Sequence, residues 1–270
     1  MPLDARIEAQ KLLTTYDTQK ETISILLTGE SGNGKTYAAR NAPFPIHIDS
    51  FDPGGTLGLR TEIKKGNIIP DTSFENEDPM HPTVFAAWEQ VFRRRVREKY
   101  FESFACYWLD SATTWTDSIL NAVQGKRGAA GQLPLWGKDY HPQTVLVKNY
   151  LRLCMNLPCH FVLTAHLEPY KDAEGNTTSW RPLFSGKGAV KIPLLFDEVW
   201  RAERKETQKG FDYFINTQES GFYIARSRIA AEGLLDKREE NNISKIFKKA
   251  GVKALTKESL FSKVKDEKNG

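Results

Sequence analysis

Short apolar segments alternate along the chain with longer segments whose apolar residues recur at helical spacing. The apolar segments have the length of buried strands and lie at residues 23–27, 45–49, 106–110 and 160–166. The helical patterns lie at residues 84–104, 111–123 and 142–157. Strands that alternate with helices form mainly parallel sheets, because each crossover returns the chain to the same end of the sheet. The pattern therefore predicts an α/β fold, a mainly parallel sheet with helices on both faces.

Other segments interrupt this alternation. Residues 66–82 are rich in proline, glycine and acidic residues and are predicted to be irregular. Residues 124–141 and 167–191 are polar and longer than most connections in compact domains, which predicts functional loops. The predicted organisation is a lead segment at 1–21, a core at 22–230, and a basic helical C-terminal appendage at 231–270 with a disordered end. The lead segment is expected to pack on the core, with docking on a neighbouring copy as the alternative.

A glycine-rich segment follows the first predicted strand and precedes the helix-competent sequence YAARNA. Residues 29–36 read GESGNGKT and fit the phosphate-binding pattern G-x-x-x-x-G-K-[S/T], which about one chain in a hundred of this length matches by chance. Such a loop points consecutive N–H groups at one anion, which requires glycine where the backbone is crowded or left-handed. Lys35 is predicted to contact the β- and γ-phosphates, and the Thr36 hydroxyl to coordinate Mg²⁺. The predicted nucleotide-binding residues are Gly29, Glu30, Ser31, Gly32, Asn33, Gly34, Lys35, Thr36 and Tyr37.

An aspartate ends the third predicted strand. Asp110 lies at the edge where parallel sheets bind ligands. Beside a phosphate loop, such an acid binds the water molecules that coordinate Mg²⁺, on the side opposite Thr36. An aspartate at this position also suits the cap of the next helix. The next residue is Ser111 and not glutamate. The group that orients the attacking water therefore has to come from another segment.

Three polar residues near other strand ends join Lys35 as catalytic candidates. Asp49 and Asp52 lie at and after the end of the second strand, where a carboxylate would accept a proton from the attacking water. Asp52 suits a turn equally well, and Asp49 suits a structural or metal-linked role. His166 ends the fourth strand, where it either senses the γ-phosphate or has an ordinary structural role.

Composition narrows the possible settings and partners. The chain has 270 residues, 40% of them hydrophobic, and a formal net charge of +4, which allows a full core and is compatible with nucleic acid. Cys106, Cys154 and Cys159 form no C-x-x-C pair and are predicted to be reduced packing residues, not a disulfide framework or a zinc site. No signal peptide or membrane-length apolar segment is recognised, so a cytoplasmic protein without membrane contact is predicted.

Basic and aromatic residues are interleaved in both predicted loops. In residues 124–141 they are Lys126, Arg127, Trp136 and Lys138. In residues 167–191 they are Tyr170, Lys171, Trp180, Arg181, Phe184, Lys187 and Lys191. Cations neutralise phosphates while aromatic rings stack on bases, so these loops favour single-stranded nucleic acid, with ordinary solvated loops as the alternative.

In order along the chain, seven segments resemble phage-type P-loop ATPases with a RecA-like core, a group that includes phage single-strand annealing recombinases. They read GESGNGKT, PIHIDSFDPGG, YWLDSAT, LTAHLE, GKGAVKIPLLFDEVWRAE, INTQESGFYIARSR and NNISKIFKKAG. The resemblance implies ATP and Mg²⁺ as cofactors, DNA-binding loops at 124–141 and 167–191, and a homo-oligomeric ring or filament. It implies that Arg226 and Arg228 reach the nucleotide of a neighbouring subunit, although both also suit structural salt bridges. Relatives carry a glutamate at the end of the second strand, where this chain has only aspartates, which implies slow hydrolysis.

These inferences favour an ATP-binding and ATP-hydrolysing RecA-like protein that acts on single-stranded DNA in phage-type recombination, annealing or replication. The alternative is a nucleotide-gated regulatory or assembly protein that binds ATP and a protein partner without nucleic acid. A small-molecule kinase is a weaker candidate, because no arginine-rich lid over the phosphates is recognised. An AAA-type remodelling ATPase is disfavoured. Such proteins share two adjacent acidic residues at this strand end, whereas here Ser111 follows Asp110.

Overall fold

The fold is given by a computed structural model of the chain. The residues it describes are 4–18, 22–184, 188–208, 210–229, 233–253, 255 and 257–261. Lys187 and the predicted disordered end, KVKDEKNG at 263–270, lie outside the described residues. Within the described ranges, no helix combines the length and the apolar character needed to cross a bilayer.

The described residues form strands, α-helices and short helical turns. The strands are β1 (Ser24–Thr28), β2 (Ile46–Ser50), β3 (Ile68–Asp71), β4 (Cys106–Asp110), β5 (His160–Ala165), β6 (Leu167–Lys171), β7 (Thr177–Pro182), β8 (Glu198–Thr207), β9 (Gly210–Asn216), β10 (Arg226–Ser227) and β11 (Arg238–Glu240). The α-helices are α1 (Ala5–Thr18), α2 (Arg60–Lys64), α3 (Val84–Arg97), α4 (Ala112–Lys126), α5 (His141–Met155), α6 (Gly188–Lys191) and α7 (Ile243–Lys249). Turns of 3₁₀-helix lie at Thr36–Asn41, Gly55–Leu59, Tyr100–Ser103 and Pro193–Leu195, and a π-helical turn lies at Trp136–Tyr140.

One sheet organises the molecule, with strand order β11-β9-β8-β1-β5-β4-β2-β3 and β10 paired to β8. The strands from β8 to β3 run parallel, and β9, β10 and β11 extend the sheet antiparallel. The predicted mainly parallel α/β sheet is confirmed, and the four predicted strands correspond to β1, β2, β4 and β5. The strand β3 lies in the segment predicted to be irregular, and its edge position explains why it tolerates Pro70.

Alternation along the central strands divides their side chains between two cores. In β4, Tyr107 and Leu109 pack in a core shared with α3, α4 and α5, whereas Cys106 and Trp108 pack in a core shared with α7. Helices therefore lie on both faces of the sheet, as predicted. All three cysteines are buried and free, which confirms their predicted role as packing residues.

The C-terminal segment is part of the central fold. The strand β11 pairs with β9 at the edge of the sheet, and α7 buries Ile243, Ile246 and Phe247 in the second core. The sequence predicts an appendage from residue 231, and the structure differs because the apolar face of α7 packs against the sheet instead of facing solvent.

The two predicted loops contain regular structure. The helix α4 extends to Lys126, and the π-helical turn leads directly into α5, which leaves only residues 127–135 irregular between them. In the second segment, β6 and β7 form an antiparallel hairpin that is followed by α6. Pro169 and Pro182 lie within these strands, and because proline is disfavoured in strands, the sequence does not predict the hairpin.

The N-terminal helix α1 leaves three large apolar side chains mostly exposed. Ile7, Leu12 and Leu13 are 58%, 62% and 60% exposed. The lead segment is expected from sequence to pack on its own core, and the structure instead leaves these side chains exposed. An exposed apolar face of this kind is available to a partner.

Candidate nucleotide-binding site

The predicted phosphate loop, residues 29–36, connects the carboxyl end of β1 to a six-residue 3₁₀-helix. Gly32 and Gly34 have φ values of 76° and 84°, in the left-handed region that glycine adopts readily. Among the described residues, the N–H groups of Gly34 and Lys35 have no acceptor within the protein. Free N–H groups in a left-handed glycine loop form a concave anion-binding surface, as a polyphosphate requires.

The first half of the loop is tied to the neighbouring strand. The Gly29 N–H donates to the Ala165 carbonyl at 3.2 Å, which joins the loop to the end of β5. The Asn33 N–H donates to the Glu30 carbonyl at 3.3 Å, and the two side chains lie 3.5 Å apart. Ser31 is exposed at the tip. These contacts hold the loop open above the sheet edge.

Lys35 is buried within its own loop. Its Nζ donates to the Gly29 and Glu30 carbonyls at 2.9 and 3.0 Å and lies 3.4 Å from His166 Nδ1. Burial lowers the pKa of Lys35 below its ordinary value, and nearby carboxylates oppose that shift. The ammonium group of Lys35 is thus held inside the loop, where a phosphate would bind.

Thr36 and Asp110 form the pair expected beside Mg²⁺. Thr36 Oγ1 donates to Asp110 Oδ2 at 2.6 Å, and the other oxygen of Asp110 accepts a hydrogen bond from Thr164. Burial raises the pKa of Asp110, and these hydrogen bonds oppose the increase. Hydroxyl and carboxylate oxygens are hard ligands that suit Mg²⁺, which takes its remaining ligands from water and phosphates. The described residues contain no cluster of three or more His, Cys, Asp or Glu side chains suited to a metal ion.

Asp52 and His166 lie together beside this pair. Asp52 Oδ1 accepts hydrogen bonds from Ser111 Oγ, at 2.9 Å, and from Thr114, while Oδ2 is 3.8 Å from His166 Nε2. Burial by itself would raise the pKa of Asp52, but hydrogen bonds from His166, Thr114 and Ser111 hold that pKa below its ordinary value. Asp52 is therefore a carboxylate at neutral pH. Through Nδ1 and Nε2, the His166 ring connects Lys35 to Asp52.

Asp49 lies outside this group of residues. Its Oδ1 contacts Arg95 Nη1 and His47 Nε2, each at 2.9 Å, and its Oδ2 accepts from Trp88 Nε1 and the Tyr107 hydroxyl at 2.8 and 2.7 Å. The side chain is fully buried. Both oxygens are saturated by donors in the core, so the structural alternative fits Asp49 and the catalytic one does not.

Arg226 and Arg228 lie at the other end of the sheet. Arg226 pairs with Val199 near the start of β8, and its Nη2 donates to two backbone carbonyls at 2.7 and 2.9 Å. Arg228 is exposed and lies 3.9 Å from Asp197. Within the described part of the chain, the hydrogen bonds and ion pairs of both arginines involve residues before and at the start of β8, not the phosphate loop. Their action on a neighbouring subunit stays a prediction.

Three residues that the sequence argument missed contact the loop from the far end of the chain. The Tyr213 ring packs on Gly34 and stacks on Tyr37 with ring centroids 5.2 Å apart. Asn241 Nδ2 donates to the Gly34 carbonyl at 3.1 Å, and the Arg204 guanidinium lies against Gly32. Asn241 begins one of the segments that carry the family resemblance, whereas no local pattern marks Arg204 or Tyr213.

Sequence comparison assigns the chain to a family. A family profile described as "AAA domain" matches residues 21–229. The chain belongs to this AAA-domain family. The predicted P-loop nucleotide-binding fold is confirmed by this match together with the sheet order and the loop. The family description names no substrate or partner, and it does not assign the remodelling activity that the sequence disfavours.

Two solved structures are similar in overall form. A KaiC-like protein from the hyperthermophilic archaeon Pyrococcus horikoshii is 14% identical, with 72% of this chain and 77% of that chain covered and a TM-score of 0.38. The flagellar accessory protein FlaH from Methanocaldococcus jannaschii is 12% identical, with 80% and 83% covered and a TM-score of 0.39. Scores this low carry no argument about function. Among curated proteins, none matches the chain in sequence.

Proposed function

We propose that this AAA-domain protein binds ATP with Mg²⁺, hydrolyses the ATP, and acts on single-stranded DNA in phage-type recombination, annealing or replication. In this proposal, Lys35 and the loop N–H groups bind the phosphates, and Thr36 and Asp110 hold the metal ion. Bound Mg²⁺ would neutralise charge on the β- and γ-phosphates. In the same proposal, Asp52 orients the attacking water and His166 senses the γ-phosphate. Because the pKa of Asp52 is held below its ordinary value, the side chain stays ionised and can accept a hydrogen bond from that water.

A groove that joins the two predicted DNA-binding segments carries the DNA part of the proposal. Its volume is about 430 Å³, and its lining includes Trp136, Tyr140 and His141 from the first segment and Lys191 from the second. Lys148 of α5 adds another cation, and Trp136 is 58% exposed. Exposed rings beside ammonium groups suit stacked bases with neutralised phosphates.

Both segments are connected to the nucleotide site through Asp52. Ser111 and Thr114, which bind Asp52, lie at the start of the helix α4 that leads to the first segment. His166 directly precedes β6, and its carbonyl accepts from the Leu183 N–H at 2.8 Å. A change in the contacts of Asp52 on hydrolysis would therefore act on both segments, which supports coupling between ATP and DNA.

The hairpin β6–β7 offers a second aromatic and basic surface. Arg181 lies 3.5 Å from the centre of the Tyr170 ring, and Trp180 stacks on Tyr223 with centroids 5.8 Å apart. Tyr223 in turn lies under Arg201, the residue that pairs with the last residue of β1. The stack thus extends from β8, the neighbour of the strand before the phosphate loop, to the hairpin.

The test is ATP hydrolysis by the purified full chain without polymer, with single-stranded DNA and with duplex DNA. Stimulation by single strands supports the proposal, and the Lys35→Ala variant is expected to lose at least about 100-fold in turnover, because a cation aimed at the transferring phosphoryl group is removed. DNA binding is expected to weaken with salt, at a log–log slope of about −0.7 per neutralised phosphate. Absent or salt-independent DNA binding contradicts the DNA part. Turnover retained in Lys35→Ala contradicts the assignment of the loop.

A nucleotide-gated regulatory or assembly protein is the second candidate. The exposed apolar face of α1 favours a protein contact, which this candidate requires. A homo-oligomeric ring or filament is the assembly that we propose for the first candidate. ATP-dependent association without any effect of nucleic acid supports this candidate over the first.

A further inference from the structure

The strand β8 extends beyond β1 and lies over the phosphate loop. Thr28, the last residue of β1, pairs with Arg201, and β8 continues to Thr207. Its antiparallel partner β9 places Tyr213 directly opposite Arg204. The two strands therefore hold this residue pair past the sheet edge at which the loop begins.

Contacts at Gly34 fix the position of this strand pair. A Cβ atom built on Gly34 would come within 2.6 Å of the Tyr213 ring, so the ring rests directly on the loop. Asn241 donates its backbone N–H to the Tyr213 carbonyl and its side-chain amide to the Gly34 carbonyl, each at 3.1 Å. Because Tyr213 is held against the loop, Arg204 on the paired strand is held there as well.

Arg204 extends from this pair to Gly32. A Cβ atom built on Gly32 would lie 3.2 Å from Arg204 Nη1. Arg201 and Arg238, the nearby arginines, both pair with Glu203, at 3.0 and 2.9 Å. Arg204 is exposed, packs on the Phe211 ring at 4.6 Å, and has no carboxylate partner among the described residues. An unpaired guanidinium beside an anion-binding loop is available to an anion.

We propose that Arg204 is a ligand for the phosphate groups of the bound nucleotide, supplied by the same chain that carries the loop. This inference rests on the nucleotide binding proposed above. A guanidinium group presents several N–H donors in a plane and binds phosphate oxygens in pairs. Arg204 would supply the charge on the Gly32 side of the loop, and Lys35 the charge within it.

The test measures the affinity of the full chain for a fluorescent ATP analogue, with inorganic tripolyphosphate as competitor. Arg204→Ala is expected to weaken binding of the analogue by about 10- to 100-fold, the usual cost of a lost charge-assisted hydrogen bond. Tripolyphosphate has the phosphates without base or ribose, so its affinity is expected to fall in the same proportion. Arg204→Lys keeps the charge but not the planar donors and is expected to lose less.

Lys205→Ala is the matched control, because it removes one positive charge from the next residue of β8, which points to the other face of the strand. It is expected to bind like the wild type, and thermal unfolding without nucleotide is expected to be the same for all variants. Wild-type affinity of Arg204→Ala overturns this inference alone. Weakening toward the ATP analogue but not toward tripolyphosphate also overturns it, since the contact would then be with the nucleoside. A wild-type chain that binds neither ligand overturns the proposed function itself.

Discussion

Two carboxylates near the end of β2 have different neighbours and therefore different roles. Asp49 is surrounded by donors in the core, including Arg95 and His47. Asp52 is partly exposed and shares its hydrogen bonds with the residues around the phosphate loop. Burial opposes ionisation of both, and in both the hydrogen bonds or charges of their partners hold the pKa of the carboxyl below its ordinary value. The Asp49 charge is part of the core, and the Asp52 charge is accessible to a water molecule.

Asp52→Asn is expected to lower the turnover of ATP by about 100-fold or more, because the amide cannot accept a proton from the attacking water. Affinity for ATP is expected to stay within a few-fold of the wild type. The measurement is turnover and nucleotide affinity at pH 7.5. Asp49→Asn is the control: it removes a buried charge that Arg95 and His47 contact, although Asp71 still pairs with Arg95, so it is expected to lower the free energy of unfolding by about 1–3 kcal/mol and to keep turnover within a few-fold of the wild type. Unchanged turnover in Asp52→Asn would remove Asp52 from the mechanism.

His160 makes stability depend on pH at the first residue of β5. Its Nδ1 accepts the Ile23 N–H at 3.0 Å, its ring packs on Phe247, and its Nε2 is buried without a partner among the described residues. Burial lowers the pKa of His160 to about 4. The unfolded chain binds this proton near pH 6.5, so the stabilisation is complete above that pH and is lost as the pH falls toward 4.

We therefore expect the titration of His160 to lower the free energy of unfolding by about 2 kcal/mol when the pH falls from 7.5 to 5.0. His160→Asn, whose amide oxygen replaces the acceptor of the Ile23 N–H, is expected to lose that much less over the same interval. Urea unfolding of both proteins at the two pH values measures the difference. Equal pH dependence in the two proteins would mean that His160 is not neutral and buried in solution.

At the scale of elements, the groove between α5, the π-helical turn and α6 is the surface on which the DNA proposal depends. The helix α4 leads from the residues that bind Asp52, and the hairpin β6–β7 follows His166. The elements near the groove are therefore attached to the site at one end and to the proposed DNA surface at the other. A change of a groove residue is therefore expected to weaken DNA binding and to leave ATP binding unchanged.

Trp136→Ala is expected to weaken binding of single-stranded DNA by about 5- to 100-fold, the cost of one lost stacking contact, and to leave nucleotide affinity unchanged. Fluorescence anisotropy with a labelled oligonucleotide measures the first quantity. Leu133→Ala is the control, because Leu133 is 89% exposed in the same segment and does not line the groove. Equal DNA affinity for both variants and the wild type would rule out the groove as the DNA surface.

For the whole molecule, the helix α1 is an element with large apolar side chains that are exposed. Its first ten described residues include Ile7, Leu12 and Leu13, all more than half exposed. The central sheet buries its own apolar residues in two cores without α1. The helix is thus available to a neighbouring copy in the proposed oligomer.

A change of Leu12 and Leu13 to aspartate is expected to shift the protein toward a monomer of 30.7 kDa. Light scattering coupled to size-exclusion chromatography, with ATP and Mg²⁺ present, measures the mass. Gln10→Asp adds one negative charge to the same helix without removing an apolar side chain and is expected to keep the wild-type mass. A wild-type protein that is monomeric under these conditions contradicts the proposed ring or filament.

Local sequence was sufficient to predict the phosphate loop and the four central strands. The glycines of residues 29–36 act through their backbone conformation, and Lys35 and Thr36 carry their side chains at fixed positions of the same loop. Apolar runs of strand length indicate burial on both faces of a sheet. Asp110 follows from the same logic, since a strand end beside the loop has a fixed place in a parallel sheet. These features depend on spacing along a few residues of chain.

Only the tertiary structure decided which distant residues meet at the loop. Asn241 contacts Gly34 across 207 residues, and Arg204 and Tyr213 arrive on strands whose order in the sheet no local pattern encodes. The same holds for Asp49, whose burial depends on an arginine of α3 turned inward. Local spacing sets which face of an element is apolar, but strand order and side-chain direction decide which charges meet, and those depend on the packing of the whole chain.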